Sequence, residues 1–137
     1  MKFMLIMNSP RDGYAQYVSW PKKVLEANIA FMQEFSRKLR EAGELVSTAG
    51  LASPVQAKLV RAGKDGKPIT DGVFPESKEF LAGYWIVDVD SPERGYEIAA
   101  EASTAPGDTI RSASGEPVEH FRIEVREVMS GPPEHSE

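Results

Sequence analysis

The sequence predicts an α+β fold of two helices on one face of a sheet, in the order strand, helix, strand with an inserted hairpin, strand, helix, strand. Three observations carry it. Residues 24–42 have helical periodicity, the apolar run 81–89 leads at once into a helix start signal, and residues 118–128 alternate with period two.

The opening KFMLIMN, residues 2–8, is apolar on both parities, with Phe3, Leu5 and Met7 on one side and Met4 and Ile6 on the other. It therefore reads as a strand covered on both faces. NSPRDGYAQYVSWP follows with turn formers and three aromatics, Tyr14, Tyr17 and Trp20, in no clear period, and reads as a loop. Pro21 suits a helix first turn. From Val24 to Ala42 a helical wheel puts Val24, Leu25, Phe31, Met32, Phe35 and Leu39 on one side and Glu26, Gln33, Arg37, Arg40 and Glu41 on the other, and Gly43 supplies the stop.

Residues 44–52 form a weakly patterned second strand ending near Ser53-Pro54. Val55 to Arg61, the GKDGK turn and Pro68 to Thr70 read as a hairpin. Leu81 to Val89, rich in aromatic and β-branched residues, is the central strand. Asp90 or Ser91 can cap a helix whose first position is Pro92, giving a second helix over Pro92 to Ala102. A polar loop spans 103–117, and Val118 to Val128 is the last strand, with Phe121, Ile123 and Val125 opposite His120, Arg122, Glu124 and Arg126. Residues 1–128 make one domain and 129–137 a frayed tail. The order is βαββαβ with an inserted ribbon, the ferredoxin-like plait. Two helices cover one sheet face only, so the second face calls for a copy of the same chain about a two-fold axis.

Composition bounds the chemistry. With 137 residues, 41% hydrophobic, one core is expected without staples. No cysteine means no disulfide, thiolate metal site or cysteine nucleophile. With 16 Lys+Arg against 21 Asp+Glu the net charge is -5, the wrong sign for general nucleic-acid binding. The apolar start is broken by Asn8, Pro10 and Arg11, too early for a membrane span or a signal peptide, so the expectation is a cytoplasmic protein. Nucleotide, zinc-protease and serine-hydrolase motifs are absent, and two histidines, His120 and His135, cannot make a multi-histidine metal site in one chain. No metal and no cofactor are expected.

Polar residues in unexpected places are the candidates for function. Asn28 falls in the middle of the apolar helix side, either as a ligand contact or as a satisfied core or interface amide. His120 is either a lone general base or a solvated histidine. In ITDGVFPESKEFLAGYWIVDVD, Asp71-Gly72 turns the chain, Phe74 offers an apolar anchor, and Glu76, Lys78 and Glu79 set charges beside a strand bearing Tyr84 and Trp85.

These residues also carry a family resemblance. Asp71-Gly72-Val73-Phe74-Pro75-Glu76-Ser77-Lys78-Glu79 resembles the namesake motif of the DGPF branch of the YCII-related superfamily, with Val73 in the place of the motif proline. The opening MKFMLIM, the run Leu81-Ala82-Gly83-Tyr84-Trp85-Ile86, the passage from Ala42-Gly43 to Gly50-Leu51, and the closing Arg122-Ile123-Glu124-Val125-Arg126 are similar to the family in the same order. The resemblance implies a dimeric α/β barrel with a cavity between helix and sheet or at the dimer face. It also implies largely unassigned function, with an association to extracytoplasmic-function sigma factors. The wider family's suggested His-Asp site has its histidine on the first helix; by spacing to Gly43 that place is Met32 here, so the dyad is not carried over.

The expected function is small-molecule binding or catalysis by a homodimer, with a polar cavity near the Asp71 to Glu79 turn; the alternative is a non-enzymatic module partnering a sigma factor. Asp71 or His120 would move a proton, and Phe74, Lys78, Trp85, Asp88, Arg122 and Glu124 would bind, with Lys78 or Arg122 steadying a small anionic ligand. The residues leave enzyme and binding module both open.

Overall fold

A computed structural model describes residues 1–72, 79–118 and 122–133 of the chain. Strand β1 (Lys2–Ser9) is followed by a short helix α1 (Gly13–Val18), the long helix α2 (Lys22–Glu41) and strand β2 (Leu45–Gly50). A ribbon of β3 (Lys58–Ala62) and β4 (Pro68–Gly72) precedes β5 (Phe80–Asp88), helix α3 (Pro92–Ala102), a second small ribbon of β6 (Ile110–Arg111) and β7 (Pro117–Val118), and β8 (Glu124–Glu127). The main sheet has the order β2-β5-β1-β8, and its neighbours run antiparallel. Once the ribbons are set aside, this is the ferredoxin-like order that the βαββαβ pattern predicts.

Local chemistry explains the boundaries. Helix α2 stops at Gly43, which takes a positive φ of 73° while its N–H bonds Arg40 O and the Glu44 N–H bonds Leu39 O, the paired closing bonds of a left-handed helix cap. Helix α3 starts where Ser91 Oγ accepts the Arg94 N–H at 3.3 Å and Pro92 fills the first turn. The Arg94 guanidinium then grips Glu44 with two bonds of 2.8 Å, tying the start of α3 to the end of α2.

The core lies between the sheet and the two long helices. Phe3 and Leu5 of β1, Trp85 and Val87 of β5, Phe35 and Leu39 of α2, and Ile98, Ala99 and Ala102 of α3 are all buried there. The other parity, Met4 and Ile6 of β1 with Tyr84 and Ile86 of β5, forms the second sheet face and is half-buried. Glu124 and Arg126 of β8 stand beside Ile6 and Met4 at the margin of this face.

Four details differ from the sequence expectation. Val55 and Gln56, read as the start of the hairpin, lie in a 3-10 turn over Pro54–Gln56 whose Ser53 Oγ accepts the Val55 N–H at 3.3 Å, and the strand begins at Lys58. The segment read as a loop after β1 contains α1, whose six residues are too few to reveal a helical period. The polar loop 103–117 contains β6, paired through Ile110 and Arg111 with Val118 and Pro117. The last strand is short: pairing with β1 covers Glu124–Glu127, where Val125 faces Leu5, and alternation upstream of it does not become part of this ladder in the described residues.

Candidate functional site

A cleft of about 530 Å³ opens between the middle of α2, helix α1 and one end of the sheet. Its volume suits a small organic molecule. Asn28, Met32 and Ser36 of α2 line it at intervals of four residues, so successive turns present one stripe to the same space. Facing them are Thr48 and Gly50 of β2, Gly83 and Trp85 of β5, and Met7 and Asn8 of β1. Tyr14, Tyr17 and Trp20 supply the aromatic side.

The sheet is irregular where it meets the cleft. Register slips between Met7 and Asn8, so that Ala82 is the extra residue on β5, and its carbonyl is taken by the Leu51 N–H at 2.8 Å. A second slip between Leu45 and Ser47 leaves Val46 extra on β2 and brings Thr48 opposite Trp85. Such bulges re-aim side chains next to a site. Gly83 sits at a close approach, where a Cβ would stand 3.1 Å from Ala49 O and the neighbouring strand would have to give by a few tenths of an ångström. Gly13 is likewise squeezed, because its Cβ would fall on Ser9 Oγ at the turn into α1.

Asn28 is the buried polar residue of the site, 2% exposed. Its Nδ2 donates to Pro106 O at 2.8 Å and its Oδ1 accepts from the Tyr17 hydroxyl at 3.0 Å. Because Pro106 O can only accept, the amide orientation is fixed by its partners. Burial, with Tyr14 adding to it, pushes the Tyr17 phenol above its ordinary value, so it stays protonated and donates. Tyr17 and Trp20 meet edge to face at 5.0 Å. Helix α1 is held on its other side by Gln16, whose side-chain amide both donates to Arg111 O and accepts from Arg111 N at 2.7 Å. Across the cleft the Trp85 Nε1–H donates to Ser36 Oγ at 3.3 Å.

Among the described residues that line the cleft there is no Asp, Glu, Lys, Arg or His. The lining is mainly apolar, and its amides, hydroxyls and aromatic rings are the groups that can orient a ligand by hydrogen bonds and stacking. No group of three His, Asp or Glu residues able to hold a metal ion occurs among the described residues. No helix among the described residues is long and apolar enough to cross a membrane.

The residues singled out by sequence fall in different places. Trp85 lines the cleft and meets Phe35 in a T-shaped contact with ring centres 5.2 Å apart. Asp71 is exposed on β4, opposite Leu59 of β3. Asp88 sits at the far end of β5, 3.3 Å from the Met1 ammonium. Glu124 lies on β8, 3.6 Å from Arg126, and Arg122 is exposed just before that strand. Phe74, Lys78 and His120 lie outside the described residues. Thus Asp71, Asp88 and Glu124 are not gathered around one space, whereas Tyr17, Asn28, Ser36 and Thr48 are. The four-residue spacing of Asn28, Met32 and Ser36 is the sequence signal that could have found this stripe.

The YCII-related domain family matches residues 1–113, which take in both walls of the cleft. This chain belongs to that family. An uncharacterized protein of Rhizobium meliloti (strain 1021) is 30% identical to this YCII-related chain over 87 residues, 64% of this chain and 70% of that protein. Met32 lines the cleft and makes that position of α2 apolar.

Proposed function

We propose that this YCII-related protein binds a small organic molecule in the cleft between α2 and the sheet. The observation that carries this reading is the pairing of an aromatic-lined space of about 530 Å³ with the deeply buried Asn28 amide, held by Tyr17 and Pro106 from two other segments. A buried amide costs free energy unless it is satisfied, and a cleft left open around it forgoes packing. A ligand that fills the space restores that packing.

The reading includes a homodimer of the DGPF branch. Met4, Ile6, Tyr84 and Ile86 make an apolar sheet face without a helix over it among the described residues, and a second copy about a two-fold axis is the cover we infer. Sedimentation equilibrium tests it against the 15.1 kDa of one chain.

Binding is testable with the chain's own reporters. Both tryptophans, Trp20 and Trp85, line the cleft, so a ligand there changes their emission. A screen of small neutral and ionic compounds should return at least one saturable ligand. Met32→Trp, which fills the space from α2, should remove calorimetric binding of that ligand while circular dichroism stays unchanged. A screen with no saturable ligand, or a ligand indifferent to Met32→Trp in the folded variant, overturns the reading.

A further inference from the structure

We infer that Asn28 is the specificity-determining residue of the cleft and that its ligand is a neutral, planar aromatic compound carrying an amide or lactam edge. This rests on the small-molecule reading above and names the ligand class. A carboxamide has two N–H donors and two acceptor positions on its oxygen. In Asn28 one donor is spent on Pro106 O and one acceptor position on the Tyr17 hydroxyl. One donor and one acceptor position are left on a side chain that lines the cleft and is 2% exposed.

A ligand edge with an N–H beside a C=O, as in an amide or lactam, can answer both the remaining donor and the remaining acceptor. The two existing bonds keep the Asn28 amide from turning, so it meets the ligand already oriented. Tyr17, Trp20, Phe80 and Trp85 give the ring of such a ligand aromatic surfaces to stack on or meet edge to face. The thioether of Met32, next along the stripe, adds a sulfur contact favourable to aromatic rings. A carboxylate of the same shape has no N–H for the amide oxygen of Asn28 and must lose its hydration on entering. Discrimination of this kind is large, because a buried polar group left without its match is costly.

The test compares three ligands of one shape on the full chain: 2-naphthamide, N,N-dimethyl-2-naphthamide and 2-naphthoate, titrated by tryptophan emission at neutral pH. The primary amide should bind about tenfold or more tighter than either of the others. In Asn28→Ala the preference should shrink to about threefold or less. Because that substitution removes the link between α1 and residue 106 and can unfold the site, the comparison on the unaltered chain decides independently. Naphthoate binding as tightly as the amide overturns the ligand class and leaves the binding reading standing. Equal binding of the dimethyl compound overturns the role of Asn28. If none of the three binds while the wider screen returns a ligand lost in Met32→Trp, the inference fails alone; if that screen is also empty, both fail.

Discussion

The two halves of helix α2 meet the same sheet on different terms. Toward the C-terminus Phe35 and Leu39, 2% and 3% exposed, sink into the core, with Phe35 edge-to-face on Trp85. Beside them α3 closes the layer with Ala99 and Ala102, small residues that let it lie close. Toward the N-terminus the buried residue is Asn28, and a cleft opens around it that runs on past Met32 to Ser36. A leucine in a core touches neighbours on every side, whereas an amide held by two hydrogen bonds stays where those bonds put it. Tightness in one half therefore fixes the helix, and the other half can leave space without losing its position.

The strongest way to break this comparison is Leu39→Ala, which should cost about 3 kcal/mol in denaturant unfolding, as a cavity in a well-packed core does. Affinity for any cleft ligand should stay within about twofold in the folded variant, since the change lies in the other half. A cost below about 1 kcal/mol would mean that the C-terminal half is not the tight one.

A smaller effect belongs to the clamp that joins the two helices. Arg94 bonds Glu44, whose side chain is 17% exposed, and the guanidinium holds that carboxyl below its ordinary range. Arg94→Met should cost about 1–2 kcal/mol at pH 7. A depressed folded-state pKa contributes stability that is present above the unfolded value of about 4.3 and is lost as pH falls through the folded value. The stability curves of the two proteins should accordingly converge as pH drops below about 4. Parallel curves across that range would remove the ion pair as the cause. The smallest effect is expected for Tyr17→Phe, about 1 kcal/mol or less from one lost hydrogen bond to Asn28, measured by thermal unfolding. A loss as large as that of Leu39→Ala would show the open half to be as strongly cooperative as the closed one.

The closed half was the more legible from sequence. Ser91-Pro92 marks the start of α3 at the residue where the structure has it, and Gly43 marks the end of α2, because caps are local chemistry. Phe35 and Leu39 follow from periodicity. In the open half Asn28 stood out as a polar residue on an apolar stripe, but its partners did not, since Pro106 is 78 residues away and a backbone carbonyl leaves no mark in a sequence. Helix α1, six residues long, is too short to show a period, and the reason for the cluster Tyr14, Tyr17 and Trp20 is hidden with it. The charged stretch around Asp71 resembles a family motif, and Asp71 itself lies on an exposed ribbon whose register is set by its pairing with β3. Motif resemblance marks the family; which side chains share a space is set by bulges and register.

That ribbon has a practical consequence. Every residue of β3 and β4 is exposed, and the turn between them rests on Gly66 at a φ of 79° and the Gly63 N–H bond to Lys67 O. Among the described residues no third strand pairs with these two, and such a ribbon opens easily, so their amide hydrogens should exchange with solvent far ahead of those of β1 and β5. Trypsin can cut after Arg61 and Lys64 there, whereas Lys67 precedes Pro68 and resists it. A cut at that tip would leave β2 on one fragment and β5 on the other, still laddered from Leu45 to Gly50, with β1 of the first fragment pairing the other edge of β5. The nicked chain should migrate as two peptides in denaturant and as one particle in buffer, a split protein whose halves already know their register.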